Sequence, residues 1–287
     1  MTLAKRNLKL YFDDKLGVFF SLLGVLIIII LYAVFLGDSM EVNMSELKDP
    51  ALSVDIWLTA GILQVASMTT SLGSFSVLIQ DRLSGKNKDF YMLPISKRKV
   101  SQSYFISAFI VGALMTVAVF AVCCIYLYVK HSYFLGFFPT LQTLALIFAT
   151  SLASSSISYI IASCLSSNSA FSAVSTIIGT LIGFMTGIYF PVGSVSQPVQ
   201  KAMTVFPLSH GASLFRKIFM DGVINTEFAD APPEIVQEFT RELGVDLFWN
   251  DTKFSAGISI VYILLFSVFL YVISDIVMKK RYDTAPQ

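Results

Sequence analysis

Long apolar runs separated by short polar segments make up most of the chain. Six runs approach the roughly 20 residues that a helix needs to cross a bilayer. They are Gly17–Leu36, Ile56–Ile79, Ser103–Val129, Pro139–Ser163, Ala170–Phe190 and Phe254–Ser274. The first is longer than a signal-peptide core and no convincing cleavage site follows it, so we interpret it as a retained helix. The pattern predicts an all-α polytopic membrane protein, with a single transmembrane domain over residues 1–287.

Composition supports this class. The chain is 55% hydrophobic and 14% charged, with a mean hydropathy of +0.72. A soluble domain carries about a quarter charged residues. Cys123, Cys124 and Cys164 lie inside apolar runs without metal-ligand spacing, which favours small apolar fillers over a metal site.

The basic residues are distributed unequally between the two sides of the predicted bundle. Thirteen basic and six acidic residues lie on the side of the N-terminus, the loop at residues 80–101 and the C-terminus; seven basic and thirteen acidic residues lie opposite. Because basic segments stay inside, both termini are predicted to be cytoplasmic in a multi-pass plasma-membrane protein.

The first sixteen residues, 1–16, contain the amphipathic stretch TLAKRNLKLYFDDK. At 100° per residue, apolar side chains gather on one face and charged ones on the other: Leu3, Leu8 and Tyr11 against Lys5, Arg6, Lys9 and Asp13. Such a segment typically lies along the membrane surface, so we predict an interfacial helix. An ordinary positive flank would explain the charges but not the apolar face.

The predicted spans lack ionisable residues. No Asp, Glu, Lys or Arg occurs from Tyr133 to Gln200. Intramembrane charges usually mark proton or ion relays, so their absence argues against a proton-driven carrier. The two histidines, His131 and His210, fall at the outer ends of helices, and no catalytic set or metal motif can be assembled. We therefore expect no catalytic residue and no metal, and a plain interfacial role for His210.

Three glycines in the fifth span, Gly179, Gly183 and Gly187, repeat at every fourth position. Small residues on one face allow close helix approach in lipid. A movable contact and static packing both fit this pattern.

Two short apolar segments follow the fifth span, within residues 191–220. Pro198–Phe206 and Ser209–Phe219 are divided by Pro207, and Ser196 and Ser209 provide helix-start signals. Neither segment is long enough to cross, and the proline forces a break between them. We predict a re-entrant helical hairpin in the outer leaflet.

The acidic stretch 221–253 after the hairpin is predicted to be a small extracellular segment. It contains PPEIVQEFTRELGV, whose apolar stripe predicts a short helix.

The loop at residues 80–101 reads QDRLSGKNKDFYMLPISKRKVS and carries eight charges. A topology anchor would account for its lysines and arginines. It would not require Asp81, Asp89 or the apolar cluster around Phe90 and Tyr91. Mixed charge around apolar residues is typical of a helix that docks into the cleft of a partner.

This arrangement resembles the ABC-2 family, the membrane subunits of bacterial ATP-binding-cassette exporters. The family's first cytoplasmic loop has an acidic–basic pair, a glycine near Ser or Thr, and a Pro-apolar-Ser-basic element. DRLSGKNKDFYMLPISKRK matches most of it, with Asp81 in place of the usual Glu and Ser84 before Gly85. FPVGSVSQPVQKAMTVFPLSHGASLFRKIFMDG is similar to the family's Pro-rich element with its downstream Arg.

The resemblance implies a coupling helix near Asp81–Tyr91 that sits in a groove of a separate ATP-binding subunit. Its coupling residues would be Asp81, Arg82, Ser84, Gly85, Lys86, Asp89, Phe90, Tyr91 and Pro94. The hairpin residues would be Pro198, Pro207, His210 and Arg216.

The chain has no GxxxxGK[ST] motif, so we expect it to bind no cofactor, with ATP and Mg²⁺ held by two copies of the partner. Six spans are half of the family's usual twelve, which implies a second, identical or related permease.

The expected function is export of an amphipathic drug, small peptide or lipid-like molecule from the cytoplasm by alternating access, with no nucleic acid involved. A secondary carrier and a non-transporting scaffold or sensor remain as alternatives. The carrier would require an intramembrane carboxylate; the scaffold would tolerate disruption of the Asp81–Tyr91 helix.

Overall fold

The computed structural model describes residues 3–44, 47–86, 89–90, 95–250 and 252–284. We number its α-helices in chain order as α1 (Leu3–Asp13), α2 (Lys15–Ser21), α3 (Leu23–Leu31), α4 (Gly37–Asn43), α5 (Pro50–Ser74), α6 (Ser76–Leu83), α7 (Lys97–His131), α8 (Phe137–Cys164), α9 (Asn168–Met185), α10 (Gln197–Val205), α11 (Pro207–Glu227), α12 (Pro233–Glu242) and α13 (Ala256–Thr284). A π-helical turn, Tyr32–Leu36, joins α3 to α4, and a 3-10 turn occupies Val192–Ser194. Strands β1 (Phe248–Trp249) and β2 (Thr252–Lys253) pair antiparallel, with Phe248 opposite Lys253.

Six helical stretches are long and apolar enough to cross a membrane, which confirms the predicted fold class. They are Leu23–Val42, Pro50–Leu83, Lys97–His131, Phe137–Cys164, Asn168–Met185 and Ala256–Lys280. The first two are segmented rather than continuous, at the π turn and at Phe75 between α5 and α6. Side-chain contacts place α1, the end of α6 and the end of α13 at one end of the bundle, the loop side. We call the end with α10–α12 the hairpin side.

Helix α5 is the centre of the bundle. Its span is 89% buried, and α7, α8, α9 and α11 pack around it. The spans of α3, α9 and α13 are only 22%, 17% and 17% buried, so these helices leave broad apolar faces open to lipid or a partner.

Hydroxyl groups line the contact between α5 and α8. The Ser67 hydroxyl lies 3.3 Å from that of Ser151 and 3.0 Å from that of Ser154, and the Ser155 hydroxyl donates to Ser71 Oγ at 3.3 Å. Small side chains let the two backbones approach closely while pairing their polar groups. The serine-rich fourth span is therefore a packing surface of the core.

The predicted glycine face of the fifth span is wrong. Helix α9 ends at Met185, and Gly187 lies beyond it with φ +65°, a left-handed conformation that favours glycine. A Cβ at Gly183 would overlap the ring of Tyr189 in the following turn, whereas a Cβ at Gly179 would meet nothing within 4 Å. The three glycines therefore do not form one packing face, and only Gly183 and Gly187 have a local steric or conformational reason to be glycine.

The two hairpin helices, α10 and α11, are separated at Phe206, as the proline predicted. Ser209 does not start the second helix: α11 begins at Pro207, which needs no hydrogen-bond acceptor at this first helical position. The Ser209 hydroxyl instead donates to the Met185 carbonyl at 2.6 Å. Helix α11 also continues to Glu227, beyond the predicted end of the hairpin at residue 220.

The predicted amphipathic helix is present as α1, and its apolar face packs against the rest of the protein. Leu3 and Leu8 pack partly against the core, and the Tyr11 hydroxyl lies 2.7 Å from that of Ser21. The predicted apolar face therefore contacts the bundle, while Leu10 and Phe12 are the apolar side chains left exposed.

Candidate functional site

A groove of about 930 Å³ runs between α2 and α3 on one side and α9 on the other, with α5 and α6 behind it. It extends from Gln80 and Asn168 on the loop side to Phe35 and Phe190 on the hairpin side. Apolar and aromatic side chains dominate its walls, interspersed with the hydroxyls of Ser21, Thr69, Ser76, Ser172, Ser175, Thr176 and Thr180. Such a surface suits an amphipathic molecule better than a small ion.

A second feature pins α1 to the loop-side ends of α6 and α7. Arg6 donates to both carboxylate oxygens of Asp81, at 2.7 and 2.8 Å, and the Tyr104 hydroxyl donates to Asp81 at 2.6 Å. The Arg6 guanidinium lies 5.1 Å from the centre of the Phe90 ring. The hydrogen bond from Arg6 to Asp81 raises the pKa of Arg6 despite its partial burial. Asp81 is 3% exposed, because this chain already supplies its partners.

Arg82 is also bound within the chain. It donates to the carbonyl oxygens of Ala162 and Leu165 at 2.7 and 2.8 Å, and contacts the sulfur of Met278 at 2.8 Å. It therefore ties α6 to the ends of α8 and α13. The acidic–basic pair expected to face a partner holds the loop side of the bundle together instead.

The other predicted coupling residues are arranged beyond this pair. Ser84, Lys86 and Asp89 are exposed. Gly85 has φ +76° and follows α6, a position where glycine commonly ends a helix. Phe90 is partly buried beneath Arg6. Tyr91 and Pro94 lie outside the described residues.

On the hairpin side, the predicted hairpin residue Arg216 is buried in the interior of the protein. It is 1% exposed, its guanidinium carbon lies 4.5 Å from the centre of the Trp57 ring, and it donates to the Gly187 carbonyl at 2.8 Å. Trp57 in turn donates to the Leu243 carbonyl at 2.8 Å. Arg216 thereby connects α5, the turn after α9 and the segment after α12.

The sequence suggested an interfacial position for His210, but the structure buries this residue. Its Nε2 lies 2.8 Å from the Thr204 carbonyl oxygen and its Nδ1 lies 3.0 Å from the Ser259 hydroxyl. With a proton on Nε2, the neutral ring satisfies both contacts. Burial lowers the pKa of His210, although the contact with Thr204 opposes this effect.

Sequence reasoning missed a polar cluster at the hairpin-side ends of α5 and α7. One oxygen of the buried Asp55 lies 2.7 Å from Lys130 Nζ, 2.7 Å from His131 Nε2 and 2.9 Å from the Tyr126 hydroxyl. Consecutive spans are antiparallel, so an acid at the start of one and bases at the end of the next could have indicated this pairing.

Among the described residues, no group of three or more His, Cys, Asp or Glu side chains is arranged to hold a metal ion. The groove offers a binding surface, and the loop-side junction connects the ends of several helices. Together they describe a polytopic membrane protein that has an amphipathic groove along its spans and a polar loop next to helix ends held together by hydrogen bonds.

Comparison with known protein families identifies the family of this membrane protein. The model of the ABC-2 family transporter proteins matches residues 39–274, most of the chain. The chain therefore belongs to the ABC-2 transporter family, which confirms the resemblance seen in its loop and hairpin motifs. It is accordingly a permease, the membrane component of an ABC transporter rather than its catalytic part, and the family implies an ATP-binding cassette partner. No curated protein matches the chain.

Proposed function

We propose that this permease forms half of the membrane pathway of an ATP-driven exporter for amphipathic molecules. A separate subunit, in two copies, binds ATP and Mg²⁺, and a second permease, identical or related, completes the pathway. Cycles of ATP binding and hydrolysis drive alternating access across the plasma membrane, with both termini in the cytoplasm.

The observation that carries this proposal is the groove. The groove extends from the loop side to the hairpin side of the bundle. The helices on its two sides, α3 and α9, are together with α13 the least buried spans. Exposed apolar side chains continue along both helices, including Ile27 and Ile30 on α3 and Ile177 and Leu181 on α9. Two such faces brought together would enclose a central path lined by both grooves.

The loop-side junction supports the coupling role. Lys86 and Asp89 are exposed and follow the end of α6, which is connected to α1 through Asp81 and to α8 through Arg82. Because these contacts are short and partly buried, a push on the loop would move the ends of several helices together. Closely packed helices transmit displacement as units.

The test is co-purification of an ATP-binding subunit with the permease from membranes of the native host. We expect Lys86→Glu combined with Asp89→Lys to reduce the recovered ATPase while leaving the permease inserted. Both side chains are exposed, so this variant spares the internal contacts that changes at Arg82 or Phe90 would break.

The matched control is Lys201→Glu with Glu238→Lys, which makes the same pair of charge reversals on the hairpin side. It should leave co-purification intact. If no ATPase accompanies the wild-type permease in any detergent or salt, the proposal fails in favour of a carrier or scaffold. If the loop variant and the control behave alike, the loop is not the docking site.

A further inference from the structure

We infer that the groove selects cationic amphipathic molecules and that the Asp14 carboxylate at its loop-side mouth provides this selectivity. The inference rests on the proposed function, because it treats the groove as the cargo site, and it adds the charge class of the cargo.

The formal charge in the lining of the groove is negative. Asp14 carries the one formal charge among the described residues that line it; no Lys, Arg or His is among them. The amides of Gln80 and Asn168 and the hydroxyls along the walls can pair with neutral or charged groups alike. An anion entering this apolar surface would lose hydration without gaining a cationic partner, which is costly.

The aromatic lining favours the same class of ligand. Phe20, Phe171, Phe184, Tyr189 and Phe190 all border the groove. Ring faces attract organic cations through their quadrupole, and they offer apolar area to the remainder of an amphipathic molecule. The aromatic walls and the carboxylate are independent observations that both disfavour an anion.

Asp14 also has a local structural role, which must be separated from ligand recognition. Its Oδ1 accepts a hydrogen bond from the Gly17 backbone N–H at 2.9 Å and so caps α2. Asparagine caps helices about as well as aspartate. Asp14→Asn therefore removes the charge and keeps the cap. Its neighbour Asp13 is also exposed but does not line the groove, so Asp13→Asn is a control with the same net charge.

The experiment measures binding of tetraphenylphosphonium and tetraphenylborate, two probes of nearly equal shape and opposite charge, to the purified permease by equilibrium dialysis in an uncharged detergent. We expect Asp14→Asn to weaken phosphonium binding about twofold to fivefold, the range for a partly solvated ion pair. Asp13→Asn should leave it unchanged, and borate binding should not weaken in either variant.

A steric variant locates the bound probe. A Cβ at Gly179 would meet nothing within 4 Å, so Gly179→Trp should place an indole ring inside the groove and weaken phosphonium binding. The inference is overturned if Gly179→Trp leaves phosphonium binding unchanged, or if Asp14→Asn has no more effect than Asp13→Asn. It is also overturned if the wild-type groove binds no phosphonium because lipid or a second copy fills it. None of these results changes the outcome of the co-purification test, which decides the proposed function independently.

Discussion

Gln64 is fully buried on α5, and neither the oxygen nor the nitrogen of its side-chain amide has a hydrogen-bond partner in the described structure. It packs against the backbone of α11 at Gly211, where an added Cβ would overlap the amide oxygen. A buried side-chain amide without partners costs about 1–3 kcal/mol. The amide of Gln64 therefore destabilises the folded protein at the centre of the bundle.

We predict that Gln64→Met stabilises the permease by about 1–3 kcal/mol, because methionine fills nearly the same volume without polar atoms. Thermal unfolding in detergent should show a raised midpoint. Gln237→Leu, at an exposed site on α12, is the control and should change the midpoint little. A lowered midpoint for Gln64→Met would mean that the amide has a partner, such as a bound water.

Arg216 and His210 show what the sequence could and could not predict about single residues. Their motif identified both as notable, but its position after the fifth span suggested an interfacial location. Their burial depends on covering segments far along the chain: Leu243 and Gly244 lie over the Trp57–Arg216 pair, and Ser259 contacts His210. Local pattern contains no information about such distant contacts.

At the scale of elements, the paired contacts of Arg6 with Asp81 hold α1 against α6. We predict that Arg6→Ala releases α1, since hydrogen bonds between charged groups contribute about 1.5–3 kcal/mol and the buried Asp81 would lose its cation. Hydrogen exchange should become faster in Leu3–Asp13 and remain unchanged in the middle of α7. Lys9→Ala, which removes an exposed cation from the same helix, should leave α1 protected. Equal exchange in both variants would show that apolar contacts alone hold α1.

Asp246 connects α11 to the β-hairpin: it lies 3.1 Å from Lys217 Nζ and 2.6 Å from Lys253 Nζ. Burial alone would raise its pKa, but hydrogen bonds from Lys253 and Lys217 outweigh burial and lower the pKa below the ordinary value. A lowered folded-state pKa stabilises the fold above the unfolded pKa, about 3.9, and this contribution is lost as the pH falls through the folded value.

We therefore predict that Asp246→Asn lowers the unfolding midpoint at pH 7 and that its difference from wild type shrinks by pH 3. Thermal unfolding of both proteins at the two pH values tests this. Asp230→Asn, at an exposed site of the same segment, should show little difference at either pH. A difference between wild type and Asp246→Asn that stays constant with pH would exclude an ionic origin.

Hydrophobic runs predicted the six spans but not their ends. Ala170–Phe190 reads as one run because Ile188, Tyr189 and Phe190 continue its apolar character. Gly187 nevertheless turns the chain at φ +65°, and α9 ends at Met185. Hydropathy measures the cost of leaving lipid, whereas the end of a helix depends on backbone conformation and on capping. The break at Phe206 was predictable because Pro207 acts on the backbone itself.

For the whole molecule, the groove is the feature that the sequence could not predict. Its walls come from α3, α5 and α9, which are distant in the chain and meet only through helix packing. The absence of charge from the predicted spans did not indicate which helices would stay partly uncovered. Helix α5 is buried whereas α3 and α9 are exposed, and this difference depends on how all the spans pack together.

The two ends of the bundle differ in charge, which bears on the side of the membrane that each end occupies. The contacts of Arg6, Arg82 and Arg98 gather basic residues on the loop side, while α12 and its neighbours are rich in acids. Because basic segments are retained inside, we predict a cytoplasmic loop side. After replacement of Cys123, Cys124 and Cys164, Glu238→Cys should react with a membrane-impermeant maleimide on intact cells.

In the same background, Lys15→Cys should react only after the cells are opened, since it lies on the exposed loop-side surface. Labelling of both cysteines with a permeant maleimide controls for their reactivity. The reverse pattern would place the exposed Lys86 and Asp89 outside the cell, away from ATP. The coupling role of the loop and the direction of transport would then both be wrong, because a cytoplasmic ATPase could not reach that surface.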